Sequence, residues 1–282
     1  MKRTLLAVLA HPDDESFGPG GTLARYAAEG TAVHIAIATD GVAGSVVEAY
    51  KDKREQLAAV REKELEAAVA VLGGTLHNLG YRDSGYINDP ANNHPQAFIQ
   101  ADETEAVGKV VRLIRELQPQ VILTHDETGG YFHPDHIMCC KITTAAFHAA
   151  GDATQYPDIG PAPFQPKRLF YTTMPNRWVK IMILLMRLRG KDPTRWGRNG
   201  DIDMTRVGAD PSQITTTIDY RDYWDVKLAA SAQHTSQGGG TSFSRMMPGW
   251  LQKQLFGRDS FIRAYPLLRN GRREKDLFES AG

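Results

Sequence analysis

Two short segments of the chain combine side chains that bind divalent metals with side chains that move protons. Residues 10–15 read AHPDDE, and residues 131–136 read YFHPDH. Imidazole nitrogens and carboxylate oxygens are zinc ligands, and three such ligands with one open coordination position are typical of catalytic zinc. The two segments supply enough ligands for one such site, with a carboxylate and an imidazole to spare. The pattern therefore predicts a metal-dependent hydrolase.

The first segment offers two metal ligands and a proton acceptor. His11 and Asp14 are three residues apart across a turn that Pro12 stiffens, so both side chains can reach one ion. Asp13 lies between them and would stand beside the metal without binding it. Because a divalent cation lowers the pKa of a coordinated water towards neutrality, a carboxylate at this position can accept its proton. Asp13 is thus the candidate general base.

The second segment offers two imidazoles and two groups that support them. His133 and His136 are three residues apart at the start of a predicted helix and share one face of it. One of them would complete the metal site, and the other would donate a proton or stabilise charge. Asp135 can hydrogen-bond to an imidazole and fix its tautomer. Tyr131, which follows a Gly-Gly pair, can polarise a substrate carbonyl through its phenol.

Strand-like and helix-like segments alternate through the first half of the chain, and each motif directly follows a predicted strand. Aliphatic runs and strand-like patterns predict strands over residues 4–10, 32–39, 75–79 and 121–124. Helical patterns cover residues 21–29, 50–72, 102–117 and 134 to about 150. This alternation predicts an α/β fold, a Rossmann-like three-layer sandwich with a mostly parallel sheet. Such sheets bind ligands at the carboxyl ends of their strands, so we expect the two motifs to meet in one crevice.

The second half of the chain is less regular. It contains strand-like segments over residues 168–173 and 213–218 and a helical segment over 223–233. Because no linker composition interrupts the chain, we expect a single domain over residues 1–282. Residues 1–150 would form the core that carries both motifs. Residues 151–282 would form a C-terminal elaboration over the active site, on its substrate side.

An apolar segment with flanking arginines lies within this second half. Residues 178–189 place four side chains on one stripe at helical spacing, namely Ile181, Leu184, Leu185 and Leu188. We expect this stripe to pack in the core or against another copy of the chain, as in a homo-oligomer. A helix that contacts lipid at a membrane surface is the alternative.

Composition excludes several classes of protein. Lys plus Arg and Asp plus Glu each number 33, and no basic stripe with interleaved aromatic residues suggests a nucleic-acid partner. The two cysteines, Cys139 and Cys140, are adjacent, which rules out a disulfide framework and favours the cytoplasm. No apolar run is long enough to cross a bilayer. The chain also lacks a P-loop, an HExxH motif and a GxSxG elbow.

The paired motifs resemble those of the PIG-L/LmbE-like de-N-acetylases, a family that includes deacetylases of mycothiol and bacillithiol biosynthesis. The resemblance covers about residues 4–150 and resumes over 227–237, where the chain reads KLAASAQHTSQ. It implies that the zinc ligands are His11, Asp14 and His136. It also implies that Asp13 is the general base, that His133 assists the tetrahedral intermediate and the leaving amine, that Asp135 tunes His133, and that Tyr131 stabilises the oxyanion.

The resemblance further implies that two residues bind the sugar. Arg61 lies in the pattern Arg-x-x-Glu-Leu of the long predicted helix, and Asp83 lies in Arg-Asp-Ser-Gly. Without the resemblance, Arg61 would be interpreted as part of an ion pair on a helix surface, and Asp83 as a residue that caps a turn. His234, in the later segment, is a candidate for a position near the pocket.

The expected activity is zinc-dependent removal of an N-acetyl group from an N-acetylglucosamine-type conjugate, which releases acetate and a free amine. The same ligands also suit Fe²⁺ or Co²⁺. The partner would be a small amino-sugar substrate. Two alternatives stay open: an amidase that cleaves a larger thiol-sugar conjugate, and a carbohydrate-binding protein without turnover. A metal-dependent phosphoesterase is disfavoured, since the motifs contain few cationic residues for a phosphate.

Overall fold

A computed structural model of the chain describes residues 2–197, 200–239, 248–268 and 273–279. Its strands are β1 Thr4–Leu9, β2 Ala32–Thr39, β3 Thr75–Tyr81, β4 Val121–His125, β5 Arg168–Thr173, β6 Thr216–Asp219 and β7 Arg258–Tyr265. Its α-helices are α1 Asp14–Phe17, α2 Gly20–Ala28, α3 Leu57–Leu72, α4 Glu103–Leu117, α5 Gly129–Phe132, α6 Pro134–Ala149, α7 Asn176–Leu188, α8 Trp224–Gln233 and α9 Gly249–Phe256. Short 3₁₀ helices cover Glu48–Gln56, Pro90–Asn93, Phe98–Gln100, Met204–Arg206, Arg221–Tyr223 and Thr235–Gln237.

The seven strands form one sheet in the order β3-β2-β1-β4-β5-β7-β6. The first five strands are parallel to one another, and only β7 runs antiparallel to both of its neighbours. The predicted mostly parallel sheet is therefore confirmed. Strands from both halves of the chain share this sheet, because β5, β6 and β7 extend the edge that β4 begins.

Alternate residues of strand β1 point to two separate cores, which makes the fold three layers thick. Leu5, Ala7 and Leu9 of β1 face α2, α3 and α8. Leu6 and Val8 face the opposite layer, formed by α4 and α6. All five side chains are fully buried, as expected for a parallel strand with helices on both faces. The predicted Rossmann-like sandwich is confirmed.

The long helix predicted over residues 50–72 begins later than expected. Residues 48–56 form a 3₁₀ helix without buried residues, and the α-helix proper starts at Leu57. The sequence KDKREQ at 51–56 offers no apolar side chain to the core, so packing does not stabilise a regular turn there. The helix ends as predicted, at Gly73 in the left-handed conformation that glycine favours.

Helix α7 differs from its prediction. It packs on the protein through Val179 and Met186, whereas the predicted stripe of Ile181, Leu184, Leu185 and Leu188 lies on the surface. The expectation that this stripe packs in the core is therefore wrong, because the helix has a second apolar face that does so instead. No helix among the described residues is long and apolar enough to span a membrane.

Candidate active site

Both motifs lie where the strand order of the sheet reverses. The chain moves from β1 outward to β2 and β3, then returns to place β4 on the other side of β1. His11 follows β1 and the residues of the second motif follow β4, so the two motifs meet at the carboxyl ends of adjacent strands. This switch point is the usual ligand-binding position in open α/β sheets.

Three ligand atoms form a triangle at this position. His11 Nδ1 lies 3.2 Å from His136 Nε2, and Asp14 Oδ2 lies 3.5 Å from His11 Nδ1 and 3.4 Å from His136 Nε2. The ligands of a tetrahedral zinc ion, at about 2.0–2.2 Å from the metal, are about 3.3–3.6 Å apart. These three atoms, which we call the ligand triangle, therefore have the spacing that one divalent cation requires.

Each imidazole of the ligand triangle makes a hydrogen bond through its outer nitrogen, which leaves the lone pair of its inner nitrogen directed into the triangle. His136 Nδ1 lies 3.1 Å from the Gly129 carbonyl oxygen, so it carries the proton and donates it. His11 Nε2 lies 3.2 Å from Asp135 Oδ2 and likewise donates. In the tautomers that bind a metal, the two facing nitrogens, His11 Nδ1 and His136 Nε2, would both be unprotonated. Burial opposes protonation of His11, but Asp83, Asp135 and Asp14 hold the pKa of this imidazole well above its usual range, so a metal ion would displace a proton from His11 Nδ1. Two lone pairs that face each other at 3.2 Å need a cation or a proton between them.

Burial and charge set the protonation of the triangle. Burial and the neighbouring His125 hold the pKa of His136 well below its usual range, so this imidazole is neutral. Burial opposes ionisation of Asp14, but the imidazoles of His136 and His125 hold the pKa of that carboxyl well below its usual value. The site thus presents an anionic oxygen and a neutral nitrogen, the forms that bind a metal.

Asp135 supports a different imidazole from the one that the resemblance implies. Its buried carboxylate accepts hydrogen bonds from His11 Nε2 and from the backbone N–H of Ser84, at 2.9 Å for the latter. Its link to His133 is through the main chain, since the Asp135 N–H donates to His133 Nδ1 at 3.2 Å. The expectation that the Asp135 carboxylate tunes His133 therefore needs correction: in this structure it orients His11.

His133 caps helix α6, and this role fixes its tautomer. Because its Nδ1 accepts the Asp135 N–H, the neutral ring carries its proton on Nε2. Burial and the neighbouring His11 lower the pKa of His133 to about 3, which keeps the ring neutral. Pro134 at the first helical position favours this start, since proline has no N–H to satisfy.

Asp13 occupies a strained turn at the beginning of α1. Its φ of 122° is a conformation that side chains other than glycine rarely adopt. The Asp13 N–H donates to the carboxylate of the buried Glu15 at 2.9 Å, which helps to hold the turn. Burial raises the pKa of the Asp13 carboxyl to about 7, although Arg61 opposes this effect.

Arg61 is buried and bonds to the loops that follow β1 and β2. Its guanidinium donates to the carbonyl oxygens of Gly41 and Pro12 and, at 3.0 Å, to Asp13 Oδ2. The left-handed Gly41 is required here, because an added Cβ would lie 2.5 Å from the guanidinium carbon. The interpretation of Arg61 as part of a surface ion pair is therefore wrong. Its Nη2 donates to both residues of the Asp13 turn, Pro12 and Asp13, while its Nη1 holds the loop after β2 at Gly41.

Asp83, which follows β3, is held by backbone amides. Its carboxylate accepts the N–H groups of Ala43, Gly44 and Gly85 at 2.8–3.1 Å, and Oδ1 lies 3.5 Å from His11 Nε2. Burial opposes ionisation, but His11 and the Gly85 amide hold the pKa of Asp83 well below its usual range. Asp83 thus connects the loops after β2 and β3 to the metal-binding side of the site.

A cleft of about 210 Å³ opens in front of these residues. Six of the predicted site residues line it, namely His11, Asp13, Arg61, Asp83, Tyr131 and His133. The Tyr131 ring lies 5.1 Å from that of His136 and stacks on Tyr86 at 6.0 Å, measured between centroids. Gly197, Asp201 and Ile202 also line the cleft. The second half of the chain therefore contributes to the cleft.

The sequence analysis missed three buried polar residues around the site. His125, the last residue of β4, accepts the Ala10 N–H, lies 3.5 Å from Asp14 Oδ2 and stacks on His136 at 3.8 Å. Glu15 pairs with His234 at 2.7 Å beneath the Asp13 turn. Glu64 accepts three hydrogen bonds from Thr235 and Ser236. His125 could have been found by its place at the end of a predicted strand.

Comparison with known proteins identifies the family. The PIG-L profile, described as GlcNAc-PI de-N-acetylase, matches residues 6–147. The chain belongs to the PIG-L family. A 1D-myo-inositol 2-acetamido-2-deoxy-alpha-D-glucopyranoside deacetylase of Acidothermus cellulolyticus is 37% identical, in an alignment that covers 99% of this chain and 95% of that protein.

Two solved structures share the fold of this PIG-L protein. An N,N'-diacetylchitobiose deacetylase of Pyrococcus horikoshii aligns with a TM-score of 0.59 at 20% identity, over 89% of this chain and 73% of the other. A 4-carboxy-2-hydroxymuconate hydratase of Pseudomonas putida also aligns with a TM-score of 0.59, at 17% identity, over 95% and 98% of the two chains. Since one fold carries both a deacetylase and a hydratase, the functional argument rests on the site.

Membership of the PIG-L family confirms what the motifs and their resemblance predict about the class of protein. The chain is a hydrolase, an N-deacetylase of a metal-dependent family. The His and Asp clusters agree with that dependence, since His11, His133 and His136 place ligand atoms within 4.8 Å of one another, as do Asp14, His125 and His136.

Proposed function

We propose that this chain uses a zinc ion to remove the N-acetyl group from a conjugate of N-acetylglucosamine with inositol, releasing acetate and a free amine. The ligand triangle carries this proposal, because its three atoms have the spacing of zinc ligands and lie beside a cleft. The substrate class rests on the 37% identical relative, whose name specifies that conjugate. A cytoplasmic location and a single domain over residues 1–282 belong to the same proposal.

His11, Asp14 and His136 would hold the metal. Their other hydrogen bonds already orient them, since Asp135 and the Gly129 carbonyl accept from the two imidazoles. A divalent cation in this position acidifies a water molecule and withdraws electron density from an amide carbonyl. Iron(II) or cobalt(II) would suit the same ligands, so metal analysis of the purified protein belongs to the test.

Asp13 would move the proton. Its carboxylate borders the cleft, next to the ligand triangle, and accepts a hydrogen bond from Arg61 through Oδ2. In the proposed reaction it takes a proton from the attacking water and then gives it to the amide nitrogen, so that the C–N bond breaks with a neutral amine as leaving group. The strained backbone of Asp13 is consistent with a catalytic position that the surrounding structure enforces.

His133 and Tyr131 would stabilise the negative charge that develops on the carbonyl oxygen. Neutral His133 carries its proton on Nε2, as a consequence of the Asp135 N–H at Nδ1. It would therefore act as a hydrogen-bond donor to the tetrahedral intermediate. Burial raises the pKa of the Tyr131 phenol above its usual value, so its hydroxyl keeps its proton and can also donate.

Arg61 and Asp83 would act mainly by positioning. Both border the cleft, so contact with sugar hydroxyls remains part of the proposal. Their hydrogen bonds, however, go largely to the protein: Arg61 holds the turn of Asp13, and Asp83 gathers amides from the loops after β2 and β3. Their removal should therefore disturb the geometry of the site as well as substrate binding.

The test is acetate release from synthetic N-acetylglucosaminyl-inositol, with chelated protein before and after zinc is restored. N-acetylglucosamine alone and a thiol-sugar conjugate with a larger acyl group serve as comparison substrates. The proposal expects zinc-dependent acetate release, fastest with the inositol conjugate, and release by D13N that is slower by about 10²–10⁴-fold. Faster cleavage of the larger conjugate would identify an amidase instead. Substrate binding without any acetate release would identify a carbohydrate-binding protein.

A further inference from the structure

Helix α7 is apolar on two faces, and only one of them packs against the protein. Val179 and Met186 are 1% and 6% exposed, whereas Ile181, Leu184, Leu185 and Leu188 are 48%, 57%, 36% and 74% exposed. The second group recurs at positions i, i+3, i+4 and i+7, so its members form one continuous stripe. An exposed stripe of four large aliphatic side chains is unusual for a surface that contacts only water.

The stripe lies within a strongly basic segment. Residues 176–191 contain five Lys or Arg and no Asp or Glu: Arg177, Lys180, Arg187, Arg189 and Lys191. The chain as a whole carries no net charge, so this concentration is local. Two exposed carboxylates, Asp192 and Asp210, interact with Arg187 and Lys180, respectively. They leave the segment with an excess of positive charge.

Helix α7 also adjoins the outer wall of the cleft. The Asn176 N–H donates to the Ala209 carbonyl oxygen at 2.9 Å, and Pro175 pairs with Ala209 in an isolated bridge. The segment that ends at Ala209 includes Asp201 and Ile202, which line the cleft. The exposed stripe is thus connected, through one short segment, to the wall around the substrate.

We propose that α7 binds the surface of a lipid bilayer that contains anionic headgroups. An aliphatic stripe bordered by Lys and Arg is the pattern of a helix that lies in a membrane interface, with its apolar side among the acyl chains and its cations at the headgroups. Contact with a second copy fits less well, because a twofold interface would place the same cations against one another. The proposal goes beyond the deacetylase activity and does not depend on it.

The test is co-sedimentation of the full chain with vesicles of phosphatidylcholine, alone or mixed with phosphatidylglycerol. We expect binding to the mixed vesicles at low salt, weaker binding at high salt, and little to phosphatidylcholine alone. Each cation near an anionic surface contributes about a fivefold factor in binding, so K180Q/R187Q should bind roughly 25-fold more weakly. L184D/L188D should bind at least about 10-fold more weakly, because it removes two aliphatic side chains from the acyl region.

Matched variants and an independent readout make the result decisive. K63Q/R112Q removes two exposed cations from α3 and α4, and L228D changes an exposed leucine of α8; both should bind like the parent protein. All variants should release acetate from a soluble substrate at the parent rate. No binding to anionic vesicles, or equal binding by L184D/L188D, would overturn the proposal. A dimer in solution that L184D/L188D converts to monomer would assign the stripe to self-association.

Discussion

Replacement of Arg61 by lysine distinguishes a residue that positions Asp13 from one that binds the sugar. The guanidinium reaches three acceptors in different directions: the carbonyl oxygens of Gly41 and Pro12 and the carboxylate of Asp13. A lysine ammonium keeps the charge but lacks the planar fork that spans them. R61K should therefore retain one contact, lose two, and leave buried carbonyl oxygens without donors.

The size of the effect follows from those contacts. Two lost hydrogen bonds from a charged donor correspond to about 3 kcal/mol of the free energy of unfolding. For a domain of this size that is a fall in Tm of roughly 6–12 °C. Movement of the Asp13 carboxylate by about 1 Å should also lower kcat on the order of 100-fold. If Arg61 acts by positioning alone, KM should change little, because the substrate then loses no direct contact.

Thermal unfolding and steady-state acetate release measure these quantities on the same preparation. R115K is the matched control, because Arg115 is also buried and donates to five backbone carbonyl oxygens, away from the site. R115K should destabilise the fold comparably but keep kcat. If R61K instead raised KM while Tm and kcat stayed at the parent values, Arg61 would be a sugar ligand and the positioning argument would be wrong.

Three further predictions concern the proton carrier, the support of the metal ligands, and pH. D13N should keep bound zinc, measured by metal analysis, yet lose about 10²–10⁴-fold in kcat; near-normal turnover would exclude Asp13 as the base. D135A should weaken zinc binding about 10–100-fold, because its carboxylate orients His11; an unchanged Kd in chelator competition would contradict this role. Burial and the neighbouring His77 lower the pKa of His34, and burial lowers that of His77, so below about pH 6.5 the unfolded chain takes up protons that the folded pair resists. Between about pH 7.5 and pH 5.5 the free energy of unfolding of H77Q, measured in urea titrations, should therefore rise relative to that of the parent protein as the pH falls; an equal slope in both proteins would count against this origin.

The parallel strands of the sheet could be predicted from local sequence patterns. Strands β1, β2 and β4 are short aliphatic runs bounded by turn residues, and their burial on both faces follows from that composition. Strand β7 was not predicted because its sequence, RDSFIRAY, has neither a regular alternation of polar and apolar residues nor a long apolar run. It is stabilised by pairing with β5 and β6, which lie far away in the chain, and a local pattern carries no information about such partners.

The candidate site, too, has residues that the sequence predicts and residues that it does not. His11, Asp14 and His136 could be brought together from sequence, because each motif follows a strand and parallel strands end at one edge. The contacts that hold these ligands in place could not be predicted from the sequence. Glu15 and His234 are 219 residues apart, and Arg61 reaches the Asp13 turn from the next layer of the fold. Such contacts depend on how α3 and α8 pack, which no motif specifies.

Zinc titration of the chelated protein shows whether the ligand triangle holds the catalytic metal. We expect acetate release from N-acetylglucosaminyl-inositol to be absent without metal and to rise linearly with added zinc. The rise should end at a single equivalent per chain, and H136A should show no such rise over the same range. Full activity in the metal-free protein, or an H136A titration identical to that of the parent, would contradict this expectation.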